Sequence, residues 1–257
     1  VSQAPLLIAT LPSPALRNSG ADTLSLSSPL PEGGFIEQVS LLPMPELAVN
    51  AVHCRFKQSR YTPDLLASWG IALPASLARV SAARQAQFLA GRYAACYALG
   101  IENVENHSPA RRDTGEVIWP QGITGSISHC DDSALCVVGR GGHLGIDIEP
   151  LVASDAIDEL WRLVGDDKEW QRLSMLPRDR ALTLLFSAKE SLYKALFPRL
   201  QRYIDFSEVR VIAVDPERRT LQFKPRSALG LALPRGCIFT VYWQWLGERC
   251  LSYTRCD

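Results

Sequence analysis

Two long helical stretches each lead into a run of short β segments, and this doubled order constrains the fold more than any single motif. The first stretch runs from about Ser81 to Leu99, with Gly100 as its expected left-handed stop. The second runs from about Arg178 to Phe197, where Pro198 is expected to end it. Phe88-Leu89-Ala90-Gly91-Arg92 in the first and Phe186-Ser187-Ala188-Lys189-Glu190 in the second stand 98 residues apart. Only Phe and Ala match, so this is a repeat of pattern rather than of identity. A helix and a sheet each need an apolar face to pack on, and this order supplies both twice. The expected fold class is α+β, a pseudo-dimer of two similar α+β halves with a cleft between them.

Punctuation by Gly and Pro sets the expected domains. Residues 1–50 are rich in Pro, Ser and Gly and read as an N-terminal lead-in with one or two strands, carried by LLIATL or GFIEQVSLLPM. Residues 51–142 form the N-terminal half, with strands at AVHCRF, SISH and ALCVVG and a loop over 107–125. Residues 143–257 form the C-terminal half. It opens on LGIDIE, reads as helical over 155–175, and closes with VRVIAV, TLQF, CIFTVYWQW and RCLSY as an antiparallel sheet.

Composition removes whole classes of function. At 257 residues and 47% hydrophobic, the chain can bury a core without metal or disulfide staples. Lys+Arg and Asp+Glu are both 27, which argues against a basic nucleic-acid binder or a polybasic membrane protein. No apolar run approaches the roughly 18 residues of a membrane span, and the first twenty residues do not read as a signal peptide. Seven cysteines, scattered and without a CxxC, read as free thiols in a reducing cytoplasm. P-loop, G-x-G-x-x-G, H-E-x-x-H and G-x-S-x-G patterns are all absent.

Four local patterns could carry chemistry. In Gly145-Ile146-Asp147-Ile148-Glu149, strand alternation puts Asp147 and Glu149 on one face, about 7 Å apart. Paired carboxylates suit a hard cation such as Mg²⁺, and a water-facing strand is the plain alternative. In the second helix, Leu185, Phe186, Leu192, Tyr193 and Leu196 fall within roughly 60° of one direction, with Lys189 among them. A lysine there must reach an anion or snorkel to water. Glu190 and Lys194 sit on the flank, as functional groups or as a surface i,i+4 pair. Ser128 and His129 end the S-I-S-H strand, where hydroxyl and imidazole could hold a phosphate, or His129 could be a structural loop residue. Arg79, Arg84 and Arg92 lie before or on the first helix and Arg111 and Arg112 in the following loop. Surface charge accounts for Arg79 and Arg84, while Arg92 projects near Phe88 and Leu99, toward the cleft. His53, His107 and His143 have no motif around them.

The ordered set S-I-S-H, G-I-D-I-E and F-S-A-K-E-S-x-x-K-A resembles the 4′-phosphopantetheinyl transferases of the Sfp type. F-L-A-G-R upstream and the W-P before S-I-S-H resemble the EntD-like, siderophore-associated branch. The resemblance covers about residues 75–253. It implies a pseudo-dimeric α+β monomer of that transferase fold, with Mg²⁺ as cofactor and CoA as co-substrate. The implied reaction moves 4′-phosphopantetheine from CoA to a serine of an apo carrier protein of a non-ribosomal peptide, polyketide or fatty-acid synthase, releasing adenosine 3′,5′-bisphosphate.

Residue by residue, the resemblance implies Asp147, Glu149 and Glu190 as metal ligands, and Glu190 as base for the carrier serine. It implies Lys194 on the phosphates and leaving group, with Lys189 assisting. Ser128 and His129 would contact CoA phosphates, and Arg79, Arg84, Arg92 and Arg112 would supply the remaining charge. Relatives usually carry a basic residue and a proline where this chain has Gly115-Glu116-Val117, so Arg111 or Arg112 would replace that contact. The segment Phe197 to Phe206 is the expected carrier-docking surface, or else core of the C-terminal half. Two other readings use the same residues: a Mg²⁺-dependent phosphoesterase, and a non-catalytic CoA- or carrier-binding module.

Overall fold

A computed structural model describes residues 16–18, 24–26, 30–31, 33–104, 108–112, 115–229, 233 and 236–257. The LLIATL segment and His107 lie outside the described residues. The chain divides into two units, Val1–Gly141 and Gly142–Asp257.

In the first unit, strands β1 (Leu16–Asn18), β2 (Leu24–Leu26), β3 (Ile36–Met44) and β4 (Val49–Phe56) precede the short helix α1 (Asp64–Ser68) and the long helix α2 (Ala82–Ile101). A small hairpin, β5 (Ala110–Arg111) and β6 (Val117–Ile118), leads to β7 (Thr124–Cys130) and β8 (Ser133–Gly139). Six of these strands form one antiparallel sheet in the order β1-β2-β3-β4-β8-β7. α2 lies across β4, β8 and β7. Ala86, Leu89, Ala90, Tyr93, Ala94 and Leu99 of α2 meet Val52, Cys54, Phe56 and Cys136 of the sheet in one core.

The boundary expected at residue 50 is not a boundary in the fold. β3, the strand expected in GFIEQVSLLPM, pairs with β4 along its length, from Ile36↔Phe56 to Met44↔Val49, so residues 36–44 belong to the same sheet as 49–56. Pro43 and Pro45 suggest a loose segment, yet Pro43 sits next to the strand end and Pro45 opens the 3₁₀ turn between the strands.

Gly100 does not stop α2. It lies within the helix, which runs on to Ile101. Asn103, at φ 54°, takes the left-handed position. Its N–H donates to Gly100 O, and the Val104 N–H donates to Leu99 O, the paired bonds of a Schellman close. Asn tolerates this conformation better than other residues with a Cβ. Asn103→Ala is expected to lower stability by about 1 kcal/mol and Asn103→Gly to leave it unchanged or slightly higher, read from urea midpoints.

The second unit begins with β9 (His143–Pro150), then α3 (Ile157–Val164), α4 (Asp167–Arg172) and the long α5 (Arg178–Leu200), and ends with β10 (Val209–Asp215), β11 (Thr220–Pro225), β12 (Phe239–Leu246) and β13 (Arg249–Cys256). Its antiparallel sheet has the order β10-β11-β12-β13-β9, and α5 packs on β9, β13 and β12. The helix expected over 155–175 is two helices. Gly165 separates them, and a Cβ there would lie 2.7 Å from both Leu185 and Trp170. Asp166 then starts α4 with a capping box to Glu169. Pro198 lies inside the last turn of α5 rather than ending it. Gln201, at φ 52°, closes the helix by donating its N–H to Phe197 O. Six cysteines are buried and Cys237 is half-buried, all as free thiols.

Candidate functional site

In the second unit the site is built where α5 crosses β9. A Cβ at Gly145 would lie 1.9 Å from the Ser191 carbonyl oxygen, so only glycine lets the helix backbone touch the strand there. Alternation then turns Asp147 and Glu149 toward the same face as Gly145, while Ile146 and Ile148 are fully buried on the other. Asp147 is 2% exposed. Lys194 reaches it from α5, with Nζ 2.7 Å from Asp147 Oδ1 and 3.1 Å from Ile146 O. The Ser187 and Ser252 hydroxyls, 2.8 Å apart, hold α5 to β13 directly opposite Asp147 in register.

Glu190 lies one turn before Lys194. Burial raises its carboxyl pKa, the Lys194 ammonium opposes the rise, and the Asp147 carboxylate adds to it. Asp147, Glu190 and Lys194 therefore share one electrostatic neighbourhood, with Glu149 at its half-buried edge. Among the described residues, no three His, Cys, Asp or Glu side chains enclose a metal position by themselves. An oxygen-only donor set still suits Mg²⁺, which commonly takes one or two carboxylates and completes its shell with water and substrate phosphates.

Lys189 does not join this cluster. Its side chain is 0% exposed. Nζ donates to Val164 O and to Phe206 O, both at 2.8 Å, and pairs with Glu169 Oε1 at 3.0 Å. An ammonium has three donors, and three acceptors here occupy them. The expected contact with CoA phosphates is corrected accordingly. The lysine does not snorkel to solvent; its ammonium is satisfied by a buried counter-ion and two carbonyls.

The first unit gathers positive charge. Ser81 caps α2 by accepting the Arg84 N–H, which sets Arg84 in the first turn. Gly91 brings β7 close: a Cβ there would lie 3.0 Å from Ile127 Cγ2 and 3.6 Å from His129 Cδ2. Arg84 Nη1 consequently stands 3.0 and 3.2 Å from the two ring nitrogens of His129. Arg92 is 4% exposed, with its guanidinium 5.0 Å from the Phe88 ring centroid. Its Nη1 has no hydrogen-bond partner among the described residues. Burial, then the charge of Arg111, lowers its pKa to about 10. Arg84 is lowered by the same two causes. Arg84, Arg92 and Arg111 thus form a like-charge group with His129 beside it, an arrangement that favours a bound anion.

Several expected residues fall elsewhere. Arg112 Nε pairs with Glu116 Oε1 at 2.6 Å, so its charge is neutralised on its own hairpin, and Arg111 is the residue that faces Arg84 and Arg92. Arg79 stays on the exposed turn ahead of α2. Ser128 precedes His129 on a regular strand, so alternation turns its buried hydroxyl away from α2 and the pair does not converge on one side. The Phe197–Phe206 segment is largely packed: Ile204 is buried, and Leu200 and Phe206 lie against the core. Tyr203 alone of the five apolar side chains stands out, 76% exposed.

Comparison with known proteins agrees with this two-part arrangement. Residues 73–139 match the 4′-phosphopantetheinyl transferase N-terminal domain, and residues 143–233 match the 4′-phosphopantetheinyl transferase superfamily. The 4′-phosphopantetheinyl transferase PptT of Mycobacterium tuberculosis is 32% identical over 187 residues, 69% of this chain and 81% of that protein. Enterobactin synthase component D of Salmonella typhimurium is 40% identical over 154 residues, 58% of this chain and 63% of that protein. The protein of the same name from Escherichia coli K12 is 38% identical over 144 residues, 54% and 66% respectively. The chain thus spans a little under two thirds of the enterobactin synthase components it matches.

Proposed function

Because this chain belongs to the 4′-phosphopantetheinyl transferase superfamily, we propose that it moves the 4′-phosphopantetheine arm of CoA onto a serine of an apo carrier protein. Adenosine 3′,5′-bisphosphate is the other product. The observation that carries this reading is the Asp147–Lys194–Glu190 cluster over Gly145. It supports this reading by setting the Lys194 ammonium against Asp147 with the Glu190 carboxyl in the same electrostatic neighbourhood.

Asp147 and Glu149, with Glu190, are the residues that would hold Mg²⁺. The ion would neutralise charge on the CoA pyrophosphate as the P–O bond breaks. Glu190 takes the proton of the carrier serine hydroxyl; its buried carboxylate is a stronger base than a solvated one. Lys194, ending beside Asp147, donates to the phosphate oxygens and supplies the proton for the departing 3′,5′-bisphosphate. Arg84, Arg92, Arg111 and His129 bind the nucleotide end of CoA, whose phosphate groups offer these crowded cations a counter-charge.

The carriers are those of siderophore or related non-ribosomal synthesis, in keeping with the enterobactin relatives. The buried free thiols and the CoA substrate fit a reducing cytoplasm. The test is the intact mass of an apo carrier protein incubated with this chain, CoA and Mg²⁺. A mass gain of one phosphopantetheine arm supports transfer. Phosphate release without a carrier would instead indicate a phosphoesterase, and CoA binding without turnover a binding module.

Arg92 separates binding from folding. A buried guanidinium repelled by Arg111 costs stability unless an anion compensates. Arg92→Met is therefore expected to leave the melting temperature of the free protein unchanged or higher, while KM for CoA rises at least about tenfold. Thermal unfolding and CoA titration of the same preparation check both halves.

A further inference from the structure

We propose that Lys189 is a positioning residue, a buried bolt whose three bonds fix the rotation of α5 and so aim Glu190 and Lys194 at Asp147. The proposal rests on the transferase reading above. Its basis is where the three acceptors come from. Val164 O is the last residue of α3, Glu169 is in the first turn of α4, and Phe206 O is in the segment that follows α5. One nitrogen thus ties α5 to three separate pieces of its own unit.

Glu169 carries the bolt further. It is buried, and it accepts the Val211 N–H of β10 at 3.0 Å, the Asp166 N–H at 3.2 Å and Arg226 Nη2 at 3.3 Å. The Phe206 end is held as well. The Phe206 ring lies 5.5 Å from Phe186 and 5.6 Å from Tyr193, and the Tyr193 hydroxyl donates to Asp205 O at 3.1 Å.

Helical geometry converts this anchoring into aim. Ser191 lies about 200° around the helix from Lys189, and its backbone is the part of α5 that rests on Gly145. The helix is therefore gripped on two opposing sides. Glu190 and Lys194 lie between the grips, about 100° and 140° around from Lys189. A carboxylate about 6 Å from the helix axis moves about 2 Å when the helix turns by about 20°. Misplacement by about 1 Å can cost about a hundredfold in rate. Contact with a ligand is not required for Lys189 to matter to catalysis.

The test compares Lys189→Met, Glu169→Gln and the double variant Lys189→Met/Glu169→Gln. The double variant guards against misfolding, because it leaves no buried charge without its partner. With CoA, Mg²⁺ and an apo carrier, both variants lacking Lys189 are expected to lose at least about tenfold in kcat per folded molecule, with KM for CoA within about twofold. Glu169→Gln keeps both carbonyl acceptors and is expected to hold kcat within about threefold. Amide hydrogen exchange over 201–208 should quicken in the two Lys189 variants, a readout that needs no activity. A folded double variant with wild-type kcat overturns the proposal. So does unchanged exchange over 201–208. Wild-type protein that fails to modify the carrier would count against the transferase reading instead, and the exchange result would still decide the bolt.

Discussion

Asp147→Asn is expected to lower the rate of carrier modification by about 10²- to 10³-fold while the protein stays folded. The side chain keeps its shape, and its amide oxygen can still accept from Lys194, so the 2.7 Å contact survives as a weaker neutral bond. A partly exposed lysine that keeps a polar neighbour costs little to leave without its counter-ion, and the stability loss should stay near about 1 kcal/mol. Charge is what disappears. The carboxylate proposed to hold a cation against the pyrophosphate, and to restrain the ammonium proposed to serve the leaving group, would do neither. Initial rates across a Mg²⁺ series, alongside melting curves, distinguish the cases. A fall of less than tenfold at limiting Mg²⁺ would remove Asp147 from the chemistry.

Gly145→Ala is expected to be the most damaging single methyl group in the second unit. The added Cβ would lie 1.9 Å from the Ser191 carbonyl oxygen and 3.0 Å from the Ala195 nitrogen. Both are backbone atoms of a 23-residue helix, so no rotamer change relieves the clash. The helix must lift or the strand must bend, at a cost of at least about 3 kcal/mol, the upper end of ordinary overpacking. Activity should fall further than stability, because lifting α5 also withdraws Lys194 from Asp147. Gly236→Ala provides the control. It has nothing within 4 Å of its would-be Cβ and should melt within about 0.5 kcal/mol of the parent protein. Equal melting of the two variants would mean that the crossing at Gly145 is not tight.

Much of this site was legible in the sequence because short-range periodicity carries it. Alternation alone puts Asp147 and Glu149 on one side of β9, and the helical repeat puts Glu190 and Lys194 on one flank of α5. What joins them is a bond between residues 47 apart in sequence, and no local pattern encodes that. Lys189 shows the same limit from the other side. Its direction from α5 follows from the helical repeat, but what lies at the end of the side chain does not. The clue that could have helped is the Asp166…Glu169 capping box, which fixes a buried carboxylate at the third position of α4.

Arg111 and Arg112 were inseparable as neighbours in a loop; the Arg112–Glu116 pair on the hairpin decides between them. The helix ends and the place of residues 36–44 in the sheet escape the sequence for one reason. Gly100, Pro198, Pro43 and Pro45 are read by residue type, whereas their real effect depends on whether the neighbouring backbone groups already have partners.

The crowding of Arg84, Arg92 and Arg111 has a practical consequence for handling the protein. Any multivalent anion that settles among them binds the folded form and not the unfolded chain, so buffer chemistry and conformational stability become linked. An anion at about a hundred times its dissociation constant adds about 2.7 kcal/mol to the unfolding free energy. Melting temperatures taken in phosphate or sulfate are therefore expected to exceed those taken in dilute chloride. Comparisons between variants hold only within one buffer. The same linkage turns a simple thermal scan into a screen for nucleotide fragments, ranking phosphate esters by how far each relieves the repulsion that folding imposes.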